Sequence, residues 1–472
     1  MEHLGVVLAT IIAYKIVLIG IGFAAQRLNR DEADMFLGGR RLGPLVAGLS
    51  YGASNASAWS ILGLSGAAYA TGLSVLWLIG GLFAGHCFAW FWMAPRLRAF
   101  SKENDILTVP ELLAGGRDGA FLLKAVAAFI ILFLFIVYVA AQFQAAGLTF
   151  VSTFGLPARE SIIIGGLIVL IYTALGGFWA VSITDALQGA IMAFAVTVLP
   201  IAAIADLGGF GAFWSLLAEN AGEAQLSLTG TNGGLLAAGI VLGLAATGFG
   251  ATGQPHLLTR FMAARDDKTV AQARLIALGW ILVVYLGMTA LGLAGHAHRI
   301  GVDDPEALFF LFADDLLPGV LAALLVAAVL SAIMSTADSQ LLVAASAIAH
   351  DFGLNKILPG RSLLLSRLTT AGVSGGAILL AIFAPSDIFS RVLFSWSALG
   401  AAFGPLIIFR LAGRSYSTAA AFVIMATGFV GAVFLSLQPD GPGDLYERAA
   451  PFLAALALSA LLGRRTTQSA AR

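Results

Sequence analysis

The amino-acid sequence predicts an all-α membrane protein of about thirteen transmembrane helices, in which spans 2–6 and spans 7–11 form two inverted repeats. Hydrophobic residues make up 59% and charged residues 11% of the 472 positions, and the mean hydropathy is +0.92. A soluble domain carries about 25% charged residues. Apolar runs of about 20 residues, the length that crosses a bilayer, recur along the chain. Two of these runs are interrupted by small polar residues at matching places in the two halves.

The predicted spans follow one another with loops too short to hold a soluble domain. A leading helix and loop occupy residues 1–41, the first repeat 42–206, the second repeat 232–410, and two extra helices with a tail 411–472. The individual spans are expected near 4–26, 42–70, 73–94, 120–146, 158–178, 183–206, 232–256, 272–295, 317–348, 363–384, 387–410, 417–436 and 447–463.

The second and seventh spans are the interrupted ones. Residues 42–71 are broken at Tyr51–Ser57, and residues 233–256 are broken at Ala246–Gly253. Lipid cannot satisfy freed backbone N–H and C=O groups, so such breaks must be buried in protein or line a cavity. Spans five apart run in opposite directions, as an inverted repeat requires. A pair of broken helices of this kind indicates the midplane binding site of a secondary transporter.

Basic residues of the predicted loops fall mainly on one side of the membrane. That side holds Arg27, Arg30, Arg40, Arg41, Arg96, Arg98, Lys102, Arg117, Arg260, Arg265, Lys268, Arg274, Lys356, Arg361, Arg367, Arg410, Arg414, Arg464, Arg465 and Arg472. The other side holds Arg159, Arg299, Arg391 and Arg448. Because Lys and Arg are retained in cytoplasmic loops, we expect a multi-pass protein of the plasma or bacterial inner membrane. Its N-terminus should lie outside and its C-terminus in the cytoplasm.

A cluster of hydroxyl groups interrupts the ninth span. Ser335, Thr336 and Ser339 fall within about one helical turn, so some of them share a face. Hard cations prefer oxygen ligands, and by extension Na⁺ is expected between these hydroxyls and carbonyls freed in the broken second span. The alternative is that the hydroxyls only bond to their own helix backbone.

Two carboxylates are predicted near membrane depth. Asp185 opens the sixth span and Asp338 lies in the ninth. A carboxylate at the bilayer centre costs at least about 2.5 kcal/mol, so such residues are functional by default. The alternatives are that Asp185 is an N-cap residue at the cytoplasmic interface, and that Asp338 is wetted by an inner vestibule. Coupling to H⁺ through either residue also remains open.

Other classes of function find little support in the sequence. The formal net charge is +0, so no nucleic-acid partner is indicated. The single cysteine, Cys87, builds neither a disulfide nor a cysteine metal site. Neither an HExxH motif nor a GxSxG motif in a nucleophile context occurs, so we expect no enzyme. The expected partners are a small organic solute and the lipid bilayer, with no obligate protein partner.

Nine segments, in order along the chain, carry a resemblance to a known family. They are Phe36–Pro44, Gly52–Trp59, Leu107–Glu111, Ser152–Gly155, Tyr172–Phe178, Thr184–Gln188, Gly253–Met262, Met334–Gln340 and Gly400–Pro405. The sequence resembles the sodium:solute symporter family, and most closely its sodium/proline symporter branch. The resemblance implies the LeuT-type inverted-repeat fold and Na⁺-coupled symport by alternating access.

The resemblance also implies site residues. The sodium site would use the carbonyls of Ala53, Ala56 and Ala332 with the hydroxyls of Ser335 and Thr336. A second sodium or coupling site would involve Asp185, Asp338 and Ser339, so that either one Na⁺ or two would bind. The substrate would contact Asn55, Ser57, Trp59, Tyr138, Thr247, Ala251, Gln254 and Pro255.

The substrate side departs from the proline branch at three positions. Asn55 stands where that branch has an acid, and an amide cannot supply the acid's charge. Thr247 and Ala251 stand where it has large aromatics, so the pocket should be larger or differently shaped. The expected solute is therefore a small organic molecule, either proline or another amino acid. Alternatives are H⁺-coupled or monocarboxylate-type uptake, and a sensor module without net flux. For the sensor reading, a signalling domain after Arg465 would be expected, and none is indicated.

Overall fold

The computed structural model of the protein describes residues 4–26, 32–115, 120–173, 177–352, 362–384, 387–439 and 441–465. Several basic residues used to predict the orientation lie outside this part of the chain: Arg27, Arg30, Arg117, Lys356, Arg361 and Arg472. Part of the segment Tyr172–Phe178 also lies outside it.

Within these ranges the chain is almost entirely helical. The helices of the leading segment and first repeat are α1 (Leu4–Gln26), α2 (Glu32–Leu37), α3 (Pro44–Asn55), α4 (Leu64–Thr71), α5 (Val75–Phe88), α6 (Ala94–Glu103), α7 (Val109–Ala114), α8 (Phe121–Phe154), α9 (Ala158–Thr173) and α10 (Phe178–Asp206). Those that follow are α11 (Phe210–Asn220), α12 (Glu223–Leu226), α13 (Gly234–Ala246), α14 (Pro255–Ala263), α15 (Asp267–Ala297), α16 (Leu308–Leu316), α17 (Gly319–Ser346), α18 (Ser362–Phe383), α19 (Ile388–Leu411), α20 (Thr418–Ser436) and α21 (Leu445–Leu462). Two short strands, β1 (Arg414–Ser415) and β2 (Arg464–Arg465), pair antiparallel.

Helices occur at the positions predicted for the spans. Of the residues described, 10 helical stretches are long and apolar enough to cross a membrane. The first helix contributes only the shorter apolar stretch Leu8–Gly22. Helix α9 has 16 residues, fewer than about 20 for a full crossing. The number of spans, about thirteen, therefore stays a prediction.

The sixth span differs from its prediction at its start. Helix α10 begins at Phe178 after the extended residue Gly177, not at residue 183. Asp185 therefore lies about two turns inside the helix and is fully buried, 0% exposed. The interpretation of Asp185 as an N-cap residue is wrong, because Gly177 already ends the preceding loop and lets the helix start earlier.

The second span is broken within the predicted segment Tyr51–Ser57, but only after Asn55, because Tyr51–Asn55 still belong to α3. Helix α3 ends at Asn55, and the chain resumes with the π-helical turn Trp59–Gly63 and then α4. Between them Ala56 has φ −86° and ψ 80°, outside the helical region. Gln142 of α8 binds the break: the N–H of Ala58 donates to its Oε1 at 3.1 Å, and its Nε2 donates to Ser57 Oγ at 3.2 Å. One side chain from a neighbouring helix therefore supplies hydrogen bonds that lipid could not.

The seventh span is broken by a 3₁₀ turn. Helix α13 passes into the turn Thr247–Thr252, and α14 starts at Pro255. The small residues of this break allow close approach of α19. A Cβ on Gly253 would lie 2.8 Å from Gly400 Cα of that helix. Any larger residue at Gly253 would therefore push α19 away from the break.

Both breaks lie at the centre of the helix packing. Helix α3 packs against α10, α15 and α17, and α10 packs directly on α17. Helix α1 covers α10 and α17 from outside. Helix α19 packs on the 3₁₀ turn of the seventh span and against α20 and α21. Side chains of α10, α15, α17 and α19 are therefore brought around the two breaks.

Glu306 connects the loop before α16 with the start of α19. Its carboxylate accepts the N–H groups of Ile388 at 3.0 Å and Phe389 at 2.9 Å. The ring of Phe389 in turn lies 6.3 Å from that of Trp59, beyond the first break. Burial raises the pKa of Glu306 to about 7 against the hydrogen bonds from the two amides, which lower it; Asp387 and Asp304 nearby raise it further. The carboxyl therefore changes charge near neutral pH.

Candidate sodium and substrate sites

The hydroxyls of the ninth span face the break in the second. Ser335 Oγ donates to the carbonyl of Ala53 at 2.9 Å and approaches the carbonyl of Ala332 at 3.2 Å. Thr336 Oγ1 donates to the carbonyl of Ser54 at 3.0 Å. All of these residues are buried within the protein. Thr336 therefore bonds across to α3, while Ser335 bonds both to α3 and to its own helix.

The donor set fits a hard monovalent cation. Four of the predicted residues, Ala53, Ala332, Ser335 and Thr336, are brought together at one level of α3 and α17, and every polar atom they offer there is an oxygen. Ala56 lies at the same break and is fully buried. Hard cations bind oxygens at about 2.3–2.6 Å, so ligand oxygens lie roughly 3.3 Å apart. The oxygens lie 2.9–3.2 Å apart in the structure, so they need to separate only slightly to admit the ion.

Asp185 is held by a buried polar cluster below this site. Its Oδ2 accepts from Ser50 Oγ at 2.8 Å, Ser54 Oγ at 3.0 Å and Arg260 Nη2 at 2.9 Å. Ser339 Oγ lies 2.9 Å from Ser54 Oγ and accepts from Arg260 at 2.5 Å. The structure thus brings Asp185 and Ser339 together through Ser54 and Arg260. Both side chains of the ion pair are 0% exposed.

Asp338 lies on a different face of α17. Its Oδ1 accepts a hydrogen bond from Thr173 of α9, and it interacts electrostatically with Lys15 of α1. Consecutive helical residues point about 100° apart, so Asp338 and Ser339 face different neighbours. Asp338 and Asp185 are both fully buried, but they belong to separate groups of contacting residues.

Arg260 is the residue that sequence reasoning misplaced. The sequence analysis places it among the basic loop residues, but it lies in α14 and is buried. Besides Asp185 and Ser339, it donates to Ser50 Oγ at 3.1 Å and to the carbonyl of His256 at 2.6 Å. The only sequence signal for this burial is that Arg260 closely follows the second break. In the structure it lies in the nine-residue helix that starts at Pro255.

Asn55 ends α3 and faces α15. Its Nδ2 donates to Tyr285 OH at 3.4 Å, and Tyr285 OH lies 3.4 Å from Nε2 of His86. The other nitrogen of that ring, Nδ1, lies 2.9 Å from Tyr51 OH. The sequence analysis identifies neither Tyr285 nor His86 as part of the site. Neither residue carries a local signal, because their partners come from other helices.

Ser57, Trp59 and Tyr138 also lie at the first break. Tyr138 OH lies 3.5 Å from Ser57 Oγ. The ring of Trp59 lies 5.9 Å from that of Tyr285. The ring of His256, in α14, lies 6.3 Å from that of Tyr138. The first break is therefore surrounded by aromatic rings from three other helices.

The second break contributes Thr247, Ala251, Gln254 and Pro255. The carbonyl of Thr247 accepts from Trp396 Nε1 at 3.1 Å. Gln254 Nε2 donates to the carbonyls of Gly250 at 2.9 Å and Trp396 at 3.0 Å. Ala251 and Pro255 are buried beside them. The ring of Trp396 lies 5.8 Å from that of His86, so contacts connect the two breaks.

Several buried polar atoms around the breaks lack a hydrogen-bond partner among the residues that the structure describes. They are Asn55 Oδ1, Trp59 Nε1, Thr247 Oγ1 and Gln254 Oε1. A buried polar group without a partner costs about 1–3 kcal/mol. Donors and acceptors are both present, which suits a ligand that carries an ammonium or imino group together with a carboxylate.

A cavity of about 700 Å³ lies elsewhere, between α5, α13 and α21. Gly81, Leu242 and Phe452 are among its lining residues. Its lining is almost wholly apolar, and no residue predicted for the sodium or substrate site contributes to it. The candidate sites therefore rest on the polar contacts at the breaks and not on this cavity.

Comparison with known proteins gives consistent results. The model of the sodium:solute symporter family matches residues 35–428. The osmoregulated proline transporter OpuE of Bacillus subtilis (strain 168) is 36% identical over 433 residues, covering 88% of this chain and 85% of that protein. The sodium/proline symporter of Staphylococcus aureus is 35% identical over 433 residues, covering 89% and 83%.

Solved structures of low sequence identity share the fold. A Na⁺-coupled sialic acid symporter, in a substrate-bound outward-open state, matches with a TM-score of 0.79 at 17% identity, covering 98% of this chain and 99% of that one. MHP1, a nucleobase-cation-symport-1 family transporter, matches with a TM-score of 0.55 at 17% identity, covering 92% and 94%.

Proposed function

Because this chain belongs to the sodium:solute symporter family, we propose that it imports proline, or an amino acid of similar size, together with Na⁺. Its fold is the LeuT-type inverted repeat, and the protein is a Na⁺-coupled solute symporter. Two relatives at 35–36% identity are named for proline transport. The unpartnered donors and acceptors around the breaks support a zwitterionic solute.

One observation carries the ion assignment. Hydroxyls of α17 meet carbonyls that the break leaves at the end of α3, in an all-oxygen set. We place one Na⁺ there, among Ala53, Ala56, Ala332, Ser335 and Thr336. Oδ2 of Asp185 already has a cationic partner in Arg260, whereas its Oδ1 has none among the described residues, so the number of Na⁺ ions, one or two, stays a prediction.

The ion and the solute are coupled through the broken helix. Na⁺ fixes the end of α3 against α17, and the solute contacts Asn55 and Ser57 a few residues further on. Each ligand therefore orders backbone that the other needs, and such coupling is reciprocal. One net positive charge moved through about 100 mV supplies about 2.3 kcal/mol. This alone supports roughly 50-fold accumulation.

The orientation is part of the proposal. The basic loop residues support an N-terminus outside and a C-terminus in the cytoplasm, in the plasma or bacterial inner membrane. With Arg260 counted as a buried residue, the remaining asymmetry still favours the same side. Glu306 then lies at the outer face, and α7 lies at the cytoplasmic face.

Substitution of the two α17 hydroxyls tests the ion site. In proteoliposomes with an inward Na⁺ gradient, the parent protein should accumulate radiolabelled L-proline, and a K⁺ gradient should not drive it. Ser335→Ala with Thr336→Ala should abolish the Na⁺-dependent part, because it removes two of the oxygen ligands. Ser346→Ala is the matched control, since Ser346 is buried in the same helix and bonds to the carbonyl of Val343.

The outcomes distinguish an error in the ion-site assignment from an error in the solute assignment. Unchanged Na⁺ dependence in the double variant would place the ion elsewhere. If the parent protein takes up no proline while Na⁺ still protects it against heating, the ion site stands and the solute assignment fails. A panel of other amino acids and monocarboxylates would then identify the solute. Uptake driven by a pH gradient in Na⁺-free buffer would indicate H⁺ coupling instead.

A further inference from the structure

A second cluster of ligand-type side chains lies far from the transport sites. Glu111 belongs to the short helix α7, while His350 and Asp351 end the π-helical turn Ala347–Asp351 that follows α17. One ligand atom from each of the three residues lies within 4.8 Å of the others. Along α17 this is about four turns from Ser335. Nothing in Na⁺-coupled transport requires this group of side chains.

The hydrogen bonds of the cluster hold the three side chains towards one another. His350 Nε2 lies 2.8 Å from Glu111 Oε1, and the other oxygen of Glu111 accepts the N–H of Leu107 at 2.9 Å. Asp351 Oδ1 accepts from Thr108 Oγ1 at 2.9 Å. Two elements remote in sequence are therefore joined through these side chains.

The second oxygen of Asp351 has no partner in the described part of the chain. Asp351 is 1% exposed, and its Oδ2 makes no hydrogen bond to any described residue. A buried carboxylate oxygen without a partner is costly, more so than a neutral group. Coordination of a cation would remove this cost, so the unpartnered oxygen is independent support for a ligand.

The donor set selects the type of cation. We propose that Glu111, His350 and Asp351 bind one divalent transition-metal ion, for which Zn²⁺ is the best match. Zinc binds both imidazole nitrogens and carboxylate oxygens, and many zinc sites have three protein ligands with a water at the fourth position, whereas Mg²⁺ and Ca²⁺ prefer oxygens alone. Thr108 would act from outside the ligand set by fixing the Asp351 carboxylate.

Access and charge agree with this assignment. His350 and Glu111 are 21% and 20% exposed, so an ion can reach them from water. Lys124 of α8 interacts electrostatically with both carboxylates. Two carboxylates and one ammonium group leave a net negative charge while the imidazole is neutral, and this charge attracts a cation.

The geometry requires only small rearrangement. Ligand bonds of about 2.1 Å in a tetrahedral arrangement place ligand atoms roughly 3.4 Å apart. The pair at 2.8 Å would open slightly, and the remaining atoms, within 4.8 Å, would draw together by side-chain rotation. The bound ion would then tie α7 to the end of α17 and raise the thermal stability of the protein.

Metal binding by the full-length protein tests the proposal. The protein is purified in detergent with a tag that contains no histidine, and Co²⁺ absorption is recorded and then displaced with Zn²⁺. We expect one Co²⁺ per chain in a tetrahedral environment, and a higher unfolding midpoint with Zn²⁺. His350→Ala should weaken binding by more than about 100-fold, and Thr108→Val by about 10-fold, as for ligands and their supporting residues elsewhere.

His298→Ala is the matched control. His298 also faces a carboxylate, Asp206 at 3.8 Å, but no third ligand joins that pair among the residues described. Its substitution should leave Co²⁺ binding unchanged. Asp351→Asn provides a second variant that can still accept the bond from Thr108 while it loses the charge, and it should also lose tight binding.

Two results would overturn the proposal. Absence of Co²⁺ and Zn²⁺ binding at millimolar concentration would remove the site, and unchanged affinity in folded His350→Ala would show that the ion binds elsewhere. Protection against heating by Na⁺ establishes that each variant is folded. Because the readout is metal binding, it is independent of whether proline is transported.

Discussion

At the scale of single residues, the ion pair of Asp185 and Arg260 is the main addition to the transport site. Both side chains are fully enclosed, and Arg260 also contacts Ser50 and Ser339. Desolvating two charges is expensive, so a buried pair is weak support for stability as such. Breaking it on one side is costly, because the remaining charge then has no compensation. This makes the pair a position where single and double substitutions should behave differently.

We therefore predict that the effects of substituting Arg260 and Asp185 on stability are strongly non-additive in a double-mutant cycle. Arg260→Gln or Asp185→Asn alone should each destabilise the protein, by about 3–5 kcal/mol where the remaining charge stays buried and uncompensated. The double variant should lose less than the sum of the two, because no uncompensated charge remains. Unfolding midpoints in detergent measure the cycle. Additive losses would show that the two groups do not depend on each other.

An exposed ion pair is the control for this cycle. Arg299 and Glu219 lie 3.3 Å apart with side chains 70% and 67% exposed. Exposed pairs contribute about 0–1 kcal/mol. Glu219→Gln should therefore leave the unfolding midpoint nearly unchanged.

At the scale of the elements, the broken second span depends on a side chain from another helix. Gln142 of α8 accepts the N–H of Ala58 and donates to Ser57. Without it, the buried N–H of Ala58 would have no partner at the break, while Ser57 Oγ would keep the OH of Tyr138 at 3.5 Å and the N–H of Trp59 at 3.4 Å. The break therefore depends both on the small residues of the second span and on the side chain that α8 contributes.

Gln142→Leu should weaken binding of Na⁺ and of solute together. The Ala58 N–H that is left unpartnered costs about 1–3 kcal/mol, and both ligands require the same broken helix. The half-saturating concentrations of both should rise, measured by uptake in proteoliposomes. Thr149→Val is the control, because Thr149 is buried in the same helix and bonds to the carbonyl of Ala145. A rise for the solute alone would restrict the role of Gln142 to the substrate pocket.

At the scale of the whole molecule, Glu306 joins parts that are distant in sequence at the ends of the helices. It bonds to the N-terminus of α19 from the loop before α16, next to the residues that follow the first break. Gly66 of α4 fits directly against this loop, since a Cβ at Gly66 would lie 2.9 Å from the carbonyl carbon of Pro305. The contact therefore connects α4, α19 and the loop, and its strength depends on the relative position of these three elements.

The charge of Glu306 should make stability depend on pH. Burial raises its pKa from 4.5 to about 7, so the folded protein binds more protons than the unfolded chain between these values. The contribution of Glu306 to the free energy of unfolding is then highest below about pH 4.5 and falls as the pH rises to about 7. The unfolding midpoint of Glu306→Gln should lack this fall when compared with the parent protein. Glu160→Gln, an exposed acid at the start of α9, should retain it. An identical pH profile in Glu306→Gln would show that Glu306 does not titrate in this range.

The membrane class, the positions of the helices and the two breaks follow from the amino-acid sequence alone. Apolar runs specify helices because the bilayer leaves the backbone no other partner, and small polar residues at Tyr51–Ser57 and Ala246–Gly253 mark where that rule is relaxed. The same local pattern identified the hydroxyls of Ser335 and Thr336, which do meet the first break.

Which polar groups meet depends on the packing of the helices and could not be predicted from the sequence. Arg260 pairs with Asp185 across 75 positions and Glu306 reaches Ile388 across 82, and no periodicity within one helix encodes such distances. Asp338 and Ser339 are neighbours in the sequence, yet α17 turns them towards different helices. Sequence pattern specifies what each helix can bury, whereas the partner of each buried charge is set by the helices around it, because only close contact can compensate its lost hydration.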